Sequence, residues 1–397
     1  MVRRAHVDRV LVCTQYRYLS PPADTRCPYA CLTVRFPKPL RTLPGVQMSR
    51  RRAWACVPVA ALVLAACSGN DGAVRLAKPA PTTPSPTPTP KPAPKPKPKP
   101  KPVNPLTGIG GPPKGPVIAV KIDNVSDARP QVGLSAADII YVEQAEGGLT
   151  RLVAVFASRK PRTVAPVRSV RNSDPELLAQ YGPIVLAFSG GAGGPLATFE
   201  RSSLVDGSAN ARGGYYRRLS SKPAPHNLAV DLYALGKALP AAGGVRDVGF
   251  DWSVRDGRLL RARGVRWFTL RMGSTNLGFT WDGAHSRFIP TGSSGTAYKD
   301  ANGQPLGKPN VLIQFCPTSV DRGDVDVAGN PASYTHTVGH GRALLFRDGR
   351  VIDGTWRRAS AGSATTFLDK SGKPMLLRPG GAWVLLAPSN SPLQLSV

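Results

Sequence analysis

Carboxylate, amide and guanidinium side chains stand at the ends of several apolar runs in the first half of the sequence. The segment EGGLTR (146–151) separates the runs DIIYVEQ and LVAVFAS and places acidic and basic side chains around two glycines. Planar guanidinium groups bind carboxylates or phosphates through two parallel hydrogen bonds. The residues that we expect to form such a binding site are Asp123, Asn124, Arg129, Glu143, Glu146, Arg151, Arg168, Arg171 and His226. If the strand ends share one sheet edge, these residues form a cleft for an anionic or glycan-like ligand.

The same residues permit a structural and a catalytic interpretation. In the structural one, the charges form an ion network that orders loops, and the two glycines serve only the turn. Carboxylates beside arginines stay ionised, which suits binding better than general-acid catalysis. We also expect Glu143 and Glu146 to orient Arg151, and Arg168 and Arg171 to leave more guanidinium groups than the nearby acids neutralise. Binding is therefore the preferred prediction. A cell-envelope hydrolase that uses Glu143, Glu146 or His226 is the alternative, and a structural adaptor is a third.

His226, in the motif APHN, is the histidine with the most possible roles. A serine hydrolase triad can be drawn from Ser189, His226 and either Asp231 or Glu146. Asp231, however, lies five residues after His226 on one predicted helix, and the sequence does not place Ser189 near either residue. We therefore expect His226 to cap that helix or to join the arginine cluster.

The glycine-rich segment AFSGGAGGP (187–195) lies between a predicted strand and a predicted helix. Backbone N–H groups at such a turn can bind an anion, although a flexible turn fits the segment equally well. The segment lacks the spacing of the nucleotide-binding glycine motifs. His336 and His340 lack a third metal ligand, and Asp321, Asp324 and Asp326 lack the spacing of a calcium loop. The sequence therefore predicts no metal site and no cofactor.

The hydrophobic periodicity predicts two modules of different character. Strands are predicted at 115–124, 138–144, 152–158, 163–170 and 183–191, and helices at 173–182, 194–203 and 224–239. Ser173 and Glu176 have capping-box spacing at the start of the first helix. Short β-like runs with Asp-Gly, Asn-Gly and Ser-Gly turns follow. The predicted fold class is α+β, with an N-terminal α/β-type layer module at 104–250 and a mostly-β C-terminal module at 251–390.

Much of the positive charge and most of the cysteines precede these modules. The formal net charge of the chain is +28, yet residues 104–397 contain 34 Lys+Arg and 21 Asp+Glu. Their arginines are scattered, so the sequence predicts no nucleic-acid partner. Only Cys316, of six cysteines, lies beyond residue 67. The folded part must therefore depend on a hydrophobic core rather than on disulfides.

Residues 48–67 have the anatomy of a lipoprotein signal peptide. Three arginines precede an apolar run that ends in LAAC, which resembles a bacterial lipobox. We expect a lipid on Cys67 to anchor the protein to the cell membrane on its extracytoplasmic side.

The segments on either side of this signal have no globular character. We expect residues 1–47 to be a gene-start artefact, with translation beginning at Met48. The Pro/Lys-rich segment 68–103 predicts an extended tether. Its proline-richest part, 79–102, would reach roughly 75 Å as a polyproline II helix.

Two sets of segments carry a likeness to a known family. The first set is VIAVKIDN, ARPQVGLSAADIIYVEQAEGGLTRLVAVF, APVRSVR and APHN, and the second is NVLIQF, VGHGRALLFRDGRVIDGTW and LLRPGGAWVLLAP. They resemble the N- and C-terminal modules of the YerB-like lipoproteins, domain-of-unknown-function family 3048. The likeness covers essentially all of 104–390 and departs at His340, where a small residue is expected. It implies a tethered envelope protein without an established reaction. The expected partners are the membrane and an anionic envelope polymer or a protein.

Overall fold

Apolar runs of the N-terminal half form the middle strands of a large mixed sheet. The computed structural model describes residues 102–292, 295–326 and 329–396. Ile118–Asp123, Ile139–Gln144 and Thr150–Phe156 are buried over nearly their whole length. Their valines and isoleucines favour strands because β-branched side chains pack well on a pleated surface.

The described residues contain 21 strands and three α-helices. In chain order the strands are β1 (Ile118–Asp123), β2 (Ile139–Gln144), β3 (Thr150–Phe156), β4 (Val185–Ala187), β5 (Val205–Asp206), β6 (Tyr216–Arg218), β7 (Leu228–Val230), β8 (Asp251–Trp252), β9 (Arg263–Gly264), β10 (Trp267–Met272), β11 (Thr275–Asp282), β12 (Arg287–Thr291), β13 (Asn310–Cys316), β14 (Thr318–Val325), β15 (Pro331–Thr335), β16 (Gly339–Arg347), β17 (Arg350–Arg358), β18 (Thr366–Asp369), β19 (Leu376–Leu377), β20 (Ala382–Pro388) and β21 (Leu393–Ser396). The helices are α1 (Ser173–Leu178), α2 (Gly193–Glu200) and α3 (Leu232–Ala238). Short 3₁₀ turns cover Ser126–Ala128, Leu134–Ala136, Glu146–Gly148, Ala179–Tyr181, Gly213–Tyr215, Gly257–Arg261 and Gly283–His285.

Ten of the strands form one sheet in the order β18-β17-β16-β13-β20-β2-β3-β1-β4-β5, and β9 joins it beside β17. β2 and β3 form an antiparallel hairpin around the Glu146–Gly148 turn. On its other side β2 runs parallel to β20, which in turn runs parallel to β13. The sheet therefore continues across residue 250, where the sequence character changes.

The large sheet has a hydrophobic core on each of its faces. On one face it packs against α3 and against an antiparallel sheet of order β12-β11-β10-β21. Phe268 of β10 stacks on Phe346 of β16 there, with ring centroids 4.0 Å apart. On the other face α1 and α2 contribute Leu177 and Phe199 to the second core. Burial on both faces explains why β1 and β3 read as continuous apolar runs rather than as alternating ones.

β14 and β15 form a separate antiparallel hairpin, which we call the arm. β14 contacts α2, and β15 contacts the Glu146–Gly148 turn and β2. The arm therefore belongs to the C-terminal half in sequence but packs on the N-terminal half.

Two segments differ from the sequence prediction because of proline and aspartate. The strand expected at 163–170 makes only isolated bridges, such as Val132 to Ala165. Pro166 lacks the N–H that a continuous strand ladder requires. The helix expected at 224–239 is β7 followed by α3, because the Asp231 side chain accepts the Ala234 N–H and starts the helix only there.

The capping box predicted at Ser173 and Glu176 is absent. Ser173 Oγ donates a hydrogen bond to Glu143 Oε2 at 3.0 Å. Glu176 Oε1 instead accepts the backbone N–H of Thr337 at 2.6 Å. Tertiary partners thus replace the local cap at both residues.

The observed fold is α+β with mixed sheets and a predominance of strands. Cys316 is a buried free thiol. None of the described helices has both the length and the apolar character that a bilayer crossing requires. The predicted signal peptide with Cys67, residues 1–47 and the tether up to residue 101 lie outside the described residues.

Candidate functional site

β1, β3 and β2 place three charged side chains in one cross-strand row. Asp123, Arg151 and Glu143 lie opposite one another in the strand registers. Lys121 lies on the same sheet face as Asp123, because residues two apart on a strand share a face. All four side chains are buried. Buried charges require ionic or hydrogen-bonding partners, so the row must be part of a network.

Asp123 is the centre of the first part of this network. Its carboxylate accepts from Arg151 Nη1 at 3.0 Å and lies 2.9 Å from His226 Nδ1. Arg168 Nε lies 3.2 Å from Asp123 Oδ2 as an ion pair without hydrogen-bond alignment. Burial alone would raise the pKa of Asp123, but Arg151, Arg168 and His226 lower it below its ordinary value. Asp123 therefore stays ionised and pairs with three cationic or polar side chains.

Glu146, in the turn between β2 and β3, connects two arginines. Its Oε1 accepts from Arg151 Nη2 at 2.6 Å, and its Oε2 accepts from Arg171 Nε at 3.0 Å. Burial again opposes ionisation, yet Arg151 and Arg171 lower the pKa of Glu146. Gly147 and Gly148 have φ values of 61° and 72°, which glycine adopts without strain. The glycines thus allow the turn conformation, and the turn positions Glu146 between the two arginines.

Glu143 does not orient Arg151, contrary to the sequence prediction. It pairs instead with Lys121, whose Nζ also lies 2.8 Å from Asp174 Oδ1. The other oxygen of Asp174 accepts the Arg171 backbone N–H at 2.7 Å. The side chains of Lys121, Glu143 and Asp174 are completely buried and cannot reach a ligand, so we assign Glu143 a structural role.

Asn124 and Arg129 lie beside the network but have their own partners. Arg129 lies over the ring of Tyr298 at 4.2 Å and donates to its hydroxyl at 2.9 Å. Arg129 also donates to the Asn124 carbonyl, while the Asn124 amide donates to Thr150 Oγ1. This pair fixes the loop after β1 against the C-terminal half.

The arm closes one side of the network with a carboxylate. Asp324 Oδ2 lies 3.4 Å from Arg171 Nε, and Asp321 accepts from the Asn172 amide at 2.7 Å. Asp324 is almost fully buried and has no hydrogen-bond partner for Oδ2 among the described residues. Burial raises the pKa of Asp324 to about 6, although Arg171 opposes the shift.

The predicted surplus of guanidinium charge in the cluster is absent. The ion pairs connect five carboxylates, those of Asp123, Glu143, Glu146, Asp174 and Asp324, with Lys121 and three arginines. The sequence prediction failed here because it did not include Asp174 and Asp324. Most of the cluster is therefore a neutralised, buried network.

Arg168 and His226 form the exposed rim of this network, and we use the name rim for these two residues. Their side chains are 23% and 18% exposed, whereas Asp123 is completely buried. Among the described residues, none accepts a hydrogen bond from the terminal nitrogens of Arg168. None of them makes a hydrogen bond with His226 Nε2. The backbone of Arg168 accepts the Ser189 N–H at 2.9 Å, so the glycine-rich segment borders the rim.

The triad drawn from the sequence is not assembled. The carboxylate beside His226 is Asp123, not Asp231 or Glu146. Within the described residues, the Ser189 hydroxyl makes no hydrogen bond to His226. Those residues also contain no group of three or more His, Cys, Asp and Glu side chains with the geometry of a metal site.

Several residues of the site were missed from sequence, and some of them left a signal. Lys121 is a single charge inside the apolar run VIAVKIDN, two residues before Asp123, which indicates a buried partner on the same face. Asp174 and Asp324 carry no such signal. Asp324 lies more than 150 residues from Arg171 in sequence, and only the position of the arm unites them.

The comparisons with known proteins agree with this architecture. Residues 106–245 match the family model described as Protein of unknown function (DUF3048) N-terminal domain, and residues 268–384 match the corresponding C-terminal domain. The chain is 27% identical over 294 residues to the protein named "Putative lipoprotein YerB" of Bacillus subtilis (strain 168). The aligned region covers 68% of this chain and 81% of YerB. The crystal structure of YerB superposes with a TM-score of 0.62 at 22% identity, covering 74% of this chain and all of that one. The chain therefore belongs to the DUF3048 family, to which we assign it on the two domain matches.

Proposed function

We propose that this protein is a lipid-anchored extracytoplasmic binding protein that captures an anionic envelope ligand at the rim formed by Arg168 and His226. The lipobox that ends at Cys67 and the name of YerB as a lipoprotein support the anchor. The tether then carries the folded part away from the bilayer, toward polymers of the cell envelope.

The observation that carries the proposal is the half-buried guanidinium of Arg168, paired through Nε with a buried carboxylate and unpartnered at its terminal nitrogens among the described residues. Asp123 attracts this group by its charge, without an aligned hydrogen bond. The planar terminal nitrogens can therefore bind an anion through two parallel hydrogen bonds. His226 adds a second donor when its ring is protonated.

The buried part of the network serves the rim as a support. Asp123 contacts both rim residues and is itself fixed by Arg151, which Glu146 orients in turn. Side chains that are positioned by a second layer of hydrogen bonds give more accurate binding geometry than side chains on free loops. Asn124, Arg129 and Arg171 contribute to this support.

We treat 104–250 as an α/β-type layer module and 251–390 as a β-rich module that work together. The parallel pairing of β2 with β20 and the contact of Asp324 with Arg171 support this joint action. Ligand capture by the rim then needs both modules.

A hydrolase remains the second candidate because of the contact between Asp123 and His226. A buried carboxylate at one ring nitrogen is the arrangement that orients a histidine general base. The nucleophile in such a reaction would be water, since Ser189 does not contact His226. Loss of turnover, rather than of binding, in His226→Gln would identify this function.

The binding proposal is tested with the purified full chain and two fluorescent polymers, poly(glycerol phosphate) and poly-γ-glutamate. We expect saturable binding to at least one of them, weakened about 10- to 100-fold in Arg168→Gln, because a charged hydrogen bond contributes about 1.5–3 kcal/mol. Arg168→Lys should retain part of the affinity. Arg201→Gln removes an exposed arginine from the end of α2 and is the matched control.

Equal losses in Arg168→Gln and Arg201→Gln would contradict the proposal, since they would indicate attraction to net charge alone. Binding of neither polymer would contradict it as well. Thermal unfolding of each variant shows whether a loss of binding reflects a loss of folding. The difference between the two polymers distinguishes phosphodiester from carboxylate ligands.

A further inference from the structure

A cavity lined by polar and apolar residues lies beside the Glu146–Gly148 turn, where Gly148 packs against Gly273. Its volume is about 480 Å³, and it lies where β2, β20 and β13 end. These three neighbouring strands run parallel, so their carboxyl ends meet at one edge of the sheet, where open sheets commonly bind ligands. None of the residues that the sequence predicted as a site lines this cavity.

The cavity is bounded by a close contact between the two halves of the fold. The Ser274 N–H donates to the Gly148 carbonyl at 2.9 Å. A side chain on Gly273 would begin 2.6 Å from that carbonyl oxygen, so only glycine allows this approach. The turn that presents Glu146 to the arginines thus packs directly against Gly273, which lines the cavity.

Side chains with unused hydrogen-bonding groups line the cavity. They include the amides of Gln144 and Asn390, the hydroxyls of Thr318, Ser333 and Ser391, and the guanidinium of Arg271. In the part of the chain that the structure describes, these amides and hydroxyls have no protein partner. Arg271 uses only Nε, which donates to the Gly273 carbonyl at 3.2 Å. No carboxylate lines the cavity, so its single charge favours a ligand with a carboxylate.

The first half of β14 borders the cavity as an open strand edge. The His336 N–H donates to the Pro317 carbonyl, and the register continues through Thr318 opposite Thr335 to Val320 opposite Ser333. Hydrogen-bonded and non-hydrogen-bonded pairs alternate along an antiparallel ladder. The N–H and C=O groups of Thr318 and Val320 therefore point away from β15, toward the open side.

The first three residues of β14 carry no charge, proline or bulge, the features by which proteins usually protect a strand edge; the charged residues and the bulge of β14 begin at Asp321. β14 pairs with β15 and with no other described strand. Val320 is 64% exposed. Exposed edges without charge, proline or cover are templates for pairing with another extended chain.

We propose that the cavity and the edge of β14 bind an extended peptide with a free carboxylate. The peptide backbone pairs with Thr318 and Val320 as an added strand, and Arg271 binds the carboxylate. Added strands gain affinity from main-chain hydrogen bonds and specificity from neighbouring side chains. The lining contains no aromatic side chain on which a sugar ring would stack, which favours a peptide over a glycan. This site is independent of the rim.

The test selects binders of the immobilised full chain from a random octapeptide library with free C-terminal carboxylates. We expect enriched peptides whose affinity falls at least about 10-fold when the C-terminus is amidated and to a similar extent in Arg271→Gln, as expected for the loss of a charged hydrogen bond. Val320→Pro removes an outward N–H without breaking a bond to β15, and should weaken binding roughly 3- to 10-fold.

Two control variants separate these effects from side-chain loss and net charge. Val320→Ala keeps the backbone N–H, and Arg201→Gln removes one positive charge elsewhere, so both should bind like the unaltered chain. The absence of any enriched peptide would overturn the proposal. Enriched peptides that bind Val320→Pro and Arg271→Gln with unchanged affinity would overturn it equally. Circular dichroism of each variant checks that the fold is retained.

Discussion

Asp123 and Arg151 lie opposite each other on β1 and β3 and form a buried ion pair, with 3.0 Å between Oδ1 and Nη1. The pair is fixed by strand register rather than by loop conformation. A site supported in this way keeps its geometry without a ligand. The same burial means that Arg151 cannot itself meet a ligand, because its side chain is only 3% exposed.

Replacing Arg151 by alanine should therefore destabilise the protein rather than only abolish binding. Asp123 and Glu146 would remain buried without their shared partner, at a cost of about 3–5 kcal/mol. Urea unfolding measures the loss. Arg162→Ala, which removes an exposed arginine 3.8 Å from Asp231, should cost less than about 1 kcal/mol. Similar losses in both variants would show that the network contributes no special stability.

Asp324 should make stability fall between about pH 4 and pH 6. Its pKa is about 6 in the folded protein and near 3.8 when unfolded, so the folded state binds the proton more tightly. The contribution of Asp324 to the free energy of unfolding is then highest below pH 4 and decreases as Asp324 ionises, by at most about 3 kcal/mol. The unfolding free energy of the unaltered chain minus that of Asp324→Asn should decrease as the pH rises from about 4 to about 6. A difference that stays constant or rises with pH would contradict the assignment.

Glu176 should keep the arm in place. Its carboxylate accepts from the Thr337 N–H and hydroxyl and from the Tyr334 hydroxyl. Glu176→Ala should lower stability by about 2–3 kcal/mol and speed amide hydrogen exchange at Thr337 and Val338. Glu200→Ala, at an exposed position of α2, should change neither. Unchanged exchange at Thr337 in Glu176→Ala would show that other contacts suffice for the arm.

Cys67 should determine the membrane attachment. In Cys67→Ser the acceptor thiol is lost, so the protein should leave the membrane fraction or retain its signal peptide. Mass spectrometry of the membrane fraction should find a lipid on Cys67 as the N-terminal residue of the unaltered protein. An unmodified Cys67 inside an intact chain would contradict the anchor.

The sequence predicted the strands and the turn of the site correctly, but it did not predict which charged side chains pair. The apolar runs and the two glycines of EGGLTR predicted the β2–β3 hairpin because strand burial and positive φ leave local signatures. Arg168 and His226 were predicted as members and do meet at Asp123. Glu143 was assigned to the wrong partner, since its pairing with Lys121 depends on side-chain direction across the sheet.

The contacts that the arm makes with the site could not be predicted from the sequence. Asp324 reaches Arg171, and Glu176 reaches Thr337, only because the arm of the C-terminal half packs on the N-terminal half. Such contacts join residues separated by about 150 positions or more and have no periodicity. Proline and aspartate effects at Pro166 and Asp231 were visible in the sequence, but the apolar pattern outweighed them in the prediction.

The most direct test of the central claim is a nuclear magnetic resonance titration of the arginine side chains with poly(glycerol phosphate) and with poly-γ-glutamate. The Arg168 Nε–Hε resonance, identified from its absence in Arg168→Lys, and the ring resonances of His226 should shift saturably with at least one polymer. The Arg201 resonance should remain unchanged. Small shifts spread evenly over the exposed arginines, or no shift at Arg168 with either polymer, would contradict the rim as a ligand-binding site.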